Sequence, residues 1–371
     1  MTGASPNGQH PGTVSGAGAV SDRTATGVGS RRILVTLGAL LLGVMFAYVM
    51  LGPVIFGPEQ VWKALIDQAD EVFHRISVWE VRVPRVLIAA LAGAMLASSG
   101  AFLQSVLRNP LAAPATVGVT QGAVLGAVLA LAISFGTEGA LDDLNAFVPM
   151  AAILGGLLAG GLVYVLSYRR AGTDPVRLIL TGVIVAAAVS SVTSFIVLVS
   201  GSHIDSIVRW LVGSLGNRTW EHLVFLVPVA VLILPLVVMA VPLANALQLG
   251  DASSVSLGLR TEEARAITLM TAVVLAAGSV SVVGGIAFLG LIAPHLARTL
   301  VGSDLRRLLP CSALVGAIIL VSADLLARVF SLDWIPFWEI QTESGSRVPV
   351  GAFTALVGAP FFLYLMRERM R

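Results

Sequence analysis

One lysine stands in the 371 residues of this sequence. Lys63 follows Val61 and Trp62. A phosphate-cradling P-loop needs a glycine-rich turn closing on Gly-Lys-Ser/Thr, so that backbone N–H groups and the ammonium meet the nucleotide. The chain builds no such site, and any work it draws from ATP rests on hydrolysis by another subunit. Cysteine is equally scarce. Cys311 is the only one, which excludes a disulfide within the chain and a cysteine-cluster metal site; it reads as a small buried apolar side chain. Charge is the third shortage. Charged residues make up 12% of the chain, against about 25% in a soluble domain. The net charge of +2 points to no nucleic-acid partner.

What fills the chain instead is apolar. Hydrophobic residues reach 56%, with 38 glycines, and glycine is frequent where membrane helices pack closely. Apolar segments of spanning length recur ten times, at about 33–52, 86–106, 117–136, 147–168, 176–200, 223–247, 264–283, 286–301, 311–328 and 350–366. The expected fold class is an all-α polytopic membrane protein of about ten transmembrane helices, with residues 31–371 as one ten-helix transmembrane domain. Residues 1–30, rich in Gly, Ser, Thr, Ala and Pro, read as a disordered cytoplasmic tail. The first apolar run follows Arg31 and Arg32 and carries no small-residue cleavage site, so it reads as a retained helix. An even number of spans puts both termini on one side. With that side cytoplasmic, most of the Lys and Arg residues fall inside, including Arg108, Arg169, Arg170, Arg260, Arg265, Arg306 and Arg307, as the positive-inside rule requires.

Two apolar runs are broken. Between Arg108 and Gly118 the sequence reads RNPLAAPATVG; its prolines prevent regular helix, and Asn109 turns the chain beside Pro110. The second break is expected at Pro294 and His295. Interrupted helices belong where irregular backbone faces protein or a polar path, not lipid. Asn109, Pro110, Gly118, Pro294 and His295 are therefore candidate hinge or gating positions, with a tight connection as the plainer role. His295 has no second His or Cys at ligand spacing, and His203 and His222 fall in an outer loop; no metal site is expected. Asp324 and Arg328, four apart on one helix face, read as a structural ion pair, with a proton relay through Asp324 as the alternative. Gln248–Arg265, QLGDASSVSLGLRTEEAR, is polar and broken by Gly250 and Gly258. It is long enough for two short surface helices, and Leu257 and Leu259 are candidate apolar contacts for a cytoplasmic partner.

Many ordered matches then converge. They are Arg82-Val-Pro-Arg85, the run from Gly93 to Gln104, Asn109-Pro-Leu-Ala112, Gly118 with Gly122 and Ala123, Trp210-Leu-Val-Gly-Ser-Leu215, Leu249-Gly-Asp251, Ser256-Leu-Gly258, Phe288 to Arg298, Asp324 with Arg328, and Gly358-Ala-Pro-Phe-Phe362. From about residue 81 to 365 the chain resembles the FecCD-type permeases, the membrane subunits of iron–siderophore and cobalamin ABC importers. The resemblance implies the type II ABC importer permease architecture, with two permeases and two ATPases. It implies that Arg82, Arg85 and Arg328 meet acidic residues of an extracytoplasmic substrate-binding protein. It also implies that the segment holding Gly250, Asp251, Ser256, Leu257, Gly258, Leu259 and Arg260 couples to the ATPase. One departure is Arg347, which stands before Val348-Pro-Val-Gly351 where the family carries an acid.

The expected function is the translocation path for a ferric siderophore across the inner membrane of a bacterium. The expected partners are cytoplasmic ATP-binding subunits, a substrate-binding lipoprotein, and a second copy or a homologous permease in the bilayer. The chain would carry no catalytic residue and no cofactor. A haem or cobalamin permease is the nearest alternative, and a proton-coupled secondary transporter using Asp324 the alternative of another class.

Overall fold

The computed structural model describes residues 27–66, 68, 71–136, 144–169, 172–200, 204–329 and 348–369. The expected tail up to residue 26, Arg170, His203 and the 330–347 loop with Arg347 lie outside the described residues.

Fourteen α-helices follow in order among the described residues: α1 (Gly27–Met50), α2 (Pro58–Leu65), α3 (Val72–Arg75), α4 (Val83–Val106), α5 (Val119–Gly136), α6 (Leu144–Ser167), α7 (Pro175–Val199), α8 (Ile204–Val212), α9 (Trp220–Gln248), α10 (Asp251–Ser256), α11 (Thr261–Val283), α12 (Leu289–Val301), α13 (Leu305–Val329) and α14 (Val350–Arg369). Seven helical stretches are long and apolar enough to cross a membrane, and three shorter apolar helices (in α5, α12 and α14) join them. These correspond to the ten apolar segments of the sequence.

Two boundaries differ from expectation. The second span does not begin near residue 86. A π-helical turn, Ile76–Arg82, joins α3 to α4, so one helix runs from Val72 to Val106. A π turn releases a carbonyl from the i→i−4 ladder, and Trp79 O accepts a hydrogen bond from Trp220 Nε1 at 2.9 Å, the two indoles lying 5.4 Å apart. The second difference is α8, a short helix that no apolar run of spanning length announces.

The centre of the bundle is α4 and α11. Of their most apolar stretches 72% and 78% is buried, against 17% for α7 and α9 and 11% for α1. Small residues let the central helices approach. Ser99 Oγ donates to Ala272 O at 2.6 Å and Ser279 Oγ to Ala92 O at 3.0 Å, crossing α4 and α11 in both directions. A Cβ on Gly93 would strike the backbone of Gly316 in α13, and one on Gly122 would strike Gly155 in α6. Without a hydrophobic drive between helices in lipid, such close backbone packing and serine bonds are what hold them together. In α9, Pro228, Pro235 and Pro242 recur every seven residues and all face outward, away from the packed side.

Two irregular stretches lie inside the bundle and pack against each other. Between α8 and α9, and again between α11 and α12, the chain leaves helix. Each break answers the other: Ser214 N–H donates to Val283 O at 2.9 Å and Gly285 N–H to Trp210 O at 3.0 Å. Gly213 sits at φ +81, where a side chain would also strike Gly285 O, so only glycine fits.

Candidate functional site

The helices α4 and α9 run side by side and carry charged clusters to opposite ends of the bundle. At one end stand Arg82, Arg85, Asp324 and Arg328. Asp324 is 1% exposed, and its partner is Arg85 of α4, not Arg328 of its own helix. Arg85 Nε donates to Asp324 Oδ2 at 2.8 Å and Nη2 to Oδ1 at 2.6 Å, and the Tyr48 hydroxyl also donates to Oδ2. The expected Asp324–Arg328 pair is thus corrected. A buried carboxylate needs several well-aligned donors, and the guanidinium fork supplies two at once, whereas an i,i+4 neighbour reaches it along the same helix only. Arg328 instead lies over the Tyr48 ring, 4.6 Å from its centre, with Nη1 buried and without a hydrogen-bond partner.

Arg82 and Arg85, which the resemblance implies meet acids of a binding protein, are turned into the bundle here. They are 3% and 7% exposed. Arg82 Nη1 donates to Val49 O at 2.6 Å and Met50 O at 3.1 Å, and Nη2 to Val54 O at 2.6 Å, with the Phe56 ring 4.1 Å beneath. A cation here satisfies carbonyls that the end of α1 leaves free and meets the negative end of its dipole. The two arginines therefore weld α1, α4 and α13 together.

At the other end, Gln248–Arg265 forms one short helix rather than two: α10, with Thr261–Arg265 already the first turn of α11. Gly250 at φ +102 makes the corner. Asp251 receives Arg108 from the first break and Arg265 Nη2 at 3.0 Å. Arg265, 2% exposed, also reaches Glu262 at 2.6 Å and donates to Thr173 O, and Glu262 accepts from Thr173 N–H and Oγ1, both at 2.9 Å. Through Arg265 these carboxylates join the α4–α5 loop, α10, α11 and the α6–α7 loop. Val255 and Leu257 point away from this cluster, Leu257 63% exposed; Leu259 is half-buried, and Arg260 pairs with Glu263 at 2.9 Å.

The expected hinge residues divide. Asn109 Oδ1 accepts from Leu111 N–H at 2.9 Å, an Asx turn over Pro110, and the loop ends at Gly118, φ +80. Pro294 does not break its helix; the break is upstream, at Gly284–Phe288, where Gly284 and Phe288 have positive φ. Pro294 has no N–H for the Gly290 carbonyl. A Cβ on Gly100 of α4 would land on that same carbonyl, so α12 meets α4 where its ladder is open. His295 lies edge-on to Phe361, rings 6.2 Å apart. His222, expected in a loop, is in the first turn of α9.

Comparison with known proteins decides what this bundle is. The model of the FecCD transport family matches residues 40–368. The chain belongs to that family. It is 34% identical over 340 residues to the Fe(3+)-citrate import system permease YfmE of Bacillus subtilis, covering 91% of this chain and 93% of that one. It is 37% identical to the Fe(3+) dicitrate transport permease FecD of Escherichia coli over 84% of this chain and 91% of FecD. It is 38% identical to the cobalamin import permease BtuC of Halobacterium salinarum over 80% of this chain and 74% of BtuC. A solved structure described as an inward-facing, metal-chelate type ABC transporter superposes with a TM-score of 0.75 at 30% identity, over 91% of this chain and 99% of that one. The chain is thus a multi-pass, non-catalytic FecCD permease of the ABC importer type. Family motifs made Asp251 and Asp324 findable; Arg108, Arg265 and Tyr48, which hold them, carried no local signal.

Proposed function

We propose that this FecCD permease forms the translocation path of a bacterial ABC importer for a ferric siderophore or similar iron chelate, with both termini cytoplasmic. The observation that supports it most is the Asp251 cluster. It braces α10 against three other segments and leaves Leu257 facing outward, as a surface that receives a push from a partner and passes it inward must be. ATP-binding subunits would dock there, and their closure would move α10, α11 and, through Arg108, the loop of Asn109 and Pro110 as a unit. Relatives that import iron citrate, iron hydroxamate and cobalamin support a bulky chelate as cargo. At the opposite end a substrate-binding lipoprotein would dock; of the three family arginines there, Arg328 keeps part of its surface free, while Arg82 and Arg85 shape the rim beneath it. Asp324, held by Arg85 and Tyr48, serves structure in this scheme, not proton transfer.

The test is ATP-driven uptake of a ferric chelate in proteoliposomes holding the permease, its ATPase and its binding protein. Replacing Leu257 and Leu259 by Asp should abolish uptake while the chain still inserts and is recovered in the membrane. Undiminished uptake, with the ATPase co-purifying as before, would overturn the docking role of α10.

A further inference from the structure

Beside the Arg85 cluster, at the same end of the bundle, lies a cavity of about 420 Å³ that none of the roles above uses. It sits between the end of α5, the start of α6, α8 and the turn leading into α9. Ligand sites of small solutes commonly enclose about 300–1,000 Å³, so the space suits one. Its floor includes Val148; its polar wall is Arg209, Trp210, Asn217, Arg218 and His222. Two arginines therefore face one space.

Arg218 is the centre of the wall. Its guanidinium lies over the Trp210 ring at 5.0 Å from the centre. Its Nη1 is 3.1 Å from His222 Nε2, which must accept, because arginine has only donors. His222 Nδ1 faces Thr219, 3.2 Å from its Oγ1 and 3.4 Å from its backbone N. Arg218 Nε is buried with no hydrogen-bond partner. Burial, with the Arg85 charge adding to it, pushes Arg218 down to about 10, so it remains cationic at neutral pH. The neighbouring buried arginines have oxygens to meet: Arg85 has Asp324 and Arg82 three carbonyls. Arg218 has an aromatic face and a neutral imidazole, an arrangement that leaves its positive charge for an incoming oxyanion.

We propose that this cavity is an oxyanion site that takes a carboxylate group of the chelate at the outer mouth of the path, so that the cargo is an anionic, carboxylate-bearing iron chelate rather than a neutral one. This rests on the permease function proposed above. Arg218 supplies the planar fork, and Arg209, which has a contact of its own, lines the exposed edge. The neutral His222 orients Arg218 without adding a charge of its own, and Trp210 limits water access on one face. A carboxylate that displaced the His222 contact or met Nε would complete the donors Arg218 now leaves open.

The experiment uses the purified full chain in nanodiscs of phosphatidylcholine alone, titrated with citrate, ferric citrate and inorganic phosphate, with tryptophan fluorescence as the readout because Trp210 stacks on Arg218. Citrate is expected to bind, and Arg218→Gln and, separately, Arg209→Gln to weaken it about tenfold or more, the scale of a lost charge-assisted bond. Arg209 is exposed, so its variant tests the site even if Arg218→Gln folds poorly. A parallel titration in nanodiscs containing phosphatidylglycerol separates the sources of the anion. If citrate fails to bind in phosphatidylcholine, or phosphatidylglycerol abolishes its binding, the cavity is empty or a lipid headgroup site and the proposal falls. Uptake in proteoliposomes separates this from the permease function itself: the unmodified permease should take up ferric citrate in preference to a neutral ferric trihydroxamate, and Arg218→Gln should lower ferric citrate uptake. Equal uptake of the two chelates by the unmodified permease would overturn the site's selectivity. Absence of any chelate uptake by the unmodified permease would count against the permease function, while citrate binding to the nanodisc-held chain would still decide whether the cavity takes a carboxylate.

Discussion

At the residue scale the decisive contact is Arg85 with Asp324. Removing one partner of a buried pair leaves a lone charge in the interior and costs about 3–5 kcal/mol, whereas replacing both by apolar side chains of similar size is often neutral. Asp324→Asn is therefore expected to lower the thermal midpoint of the solubilised permease sharply. The double variant Arg85→Met with Asp324→Leu should recover most of the loss. A double variant no more stable than Asp324→Asn would mean that the carboxylate matters for something other than neutralising Arg85. The sequence shows that Asp324 needs a partner, because an acid in an apolar span is costly. It cannot show which, because Arg85 lies 239 positions away while Arg328 lies one helical turn away. Local spacing favoured the near arginine; packing of α13 against α4 chose the far one.

At the element scale the spans and the first break were legible and the second break was not. Each span must be a stretch of apolar residues, since lipid offers no partner for polar groups, and that requirement is written along the chain. The π turn before α4, the helix α8 and the true position of the second break depend on tertiary partners: Trp220 for Trp79 O, and Gly213 and Trp210 for Gly284–Phe288. Pro294 misled because a proline inside a helix is harmless where another backbone covers the freed carbonyl, here at Gly100. Glycine contacts give the matching prediction. Gly122→Val would drive a side chain into the Gly155 backbone and is expected to cost about 1–3 kcal/mol as overpacking. Gly38→Val on α1, with nothing within 4 Å of its Cβ, should leave the melting midpoint within experimental error of the parent. Equal effects at the two positions would show that helix propensity, not interhelical approach, governs both.

For the whole molecule, the proposed orientation can be read from thiol chemistry. Cys311 is buried, so Cys311→Ala gives a background for single reporters: Glu221→Cys at the Arg85 end and Leu257→Cys on α10. In intact cells a membrane-impermeant maleimide should label Glu221→Cys alone and reach Leu257→Cys only after permeabilisation; the reverse pattern would invert the topology. Which helices form the centre is written only faintly in composition, because the central α4 and α11 are just somewhat less apolar than the outer α7 and α9. What separates them is the placement of serines and glycines opposite one another, a property of pairs. The tie among α1, α4 and α13 also has a bearing on biosynthesis. Tyr48 and Arg85 emerge from the ribosome 276 and 239 residues before Asp324, an interval of roughly 10–50 s at about 5–20 residues per second. Throughout it the nascent chain holds an arginine at the membrane edge with its carboxylate not yet made, and its long stem must carry the charge to the water boundary. Closure of this end of the bundle is therefore expected only once α13 has been made, and a chain truncated before residue 324 would keep that charge unmet.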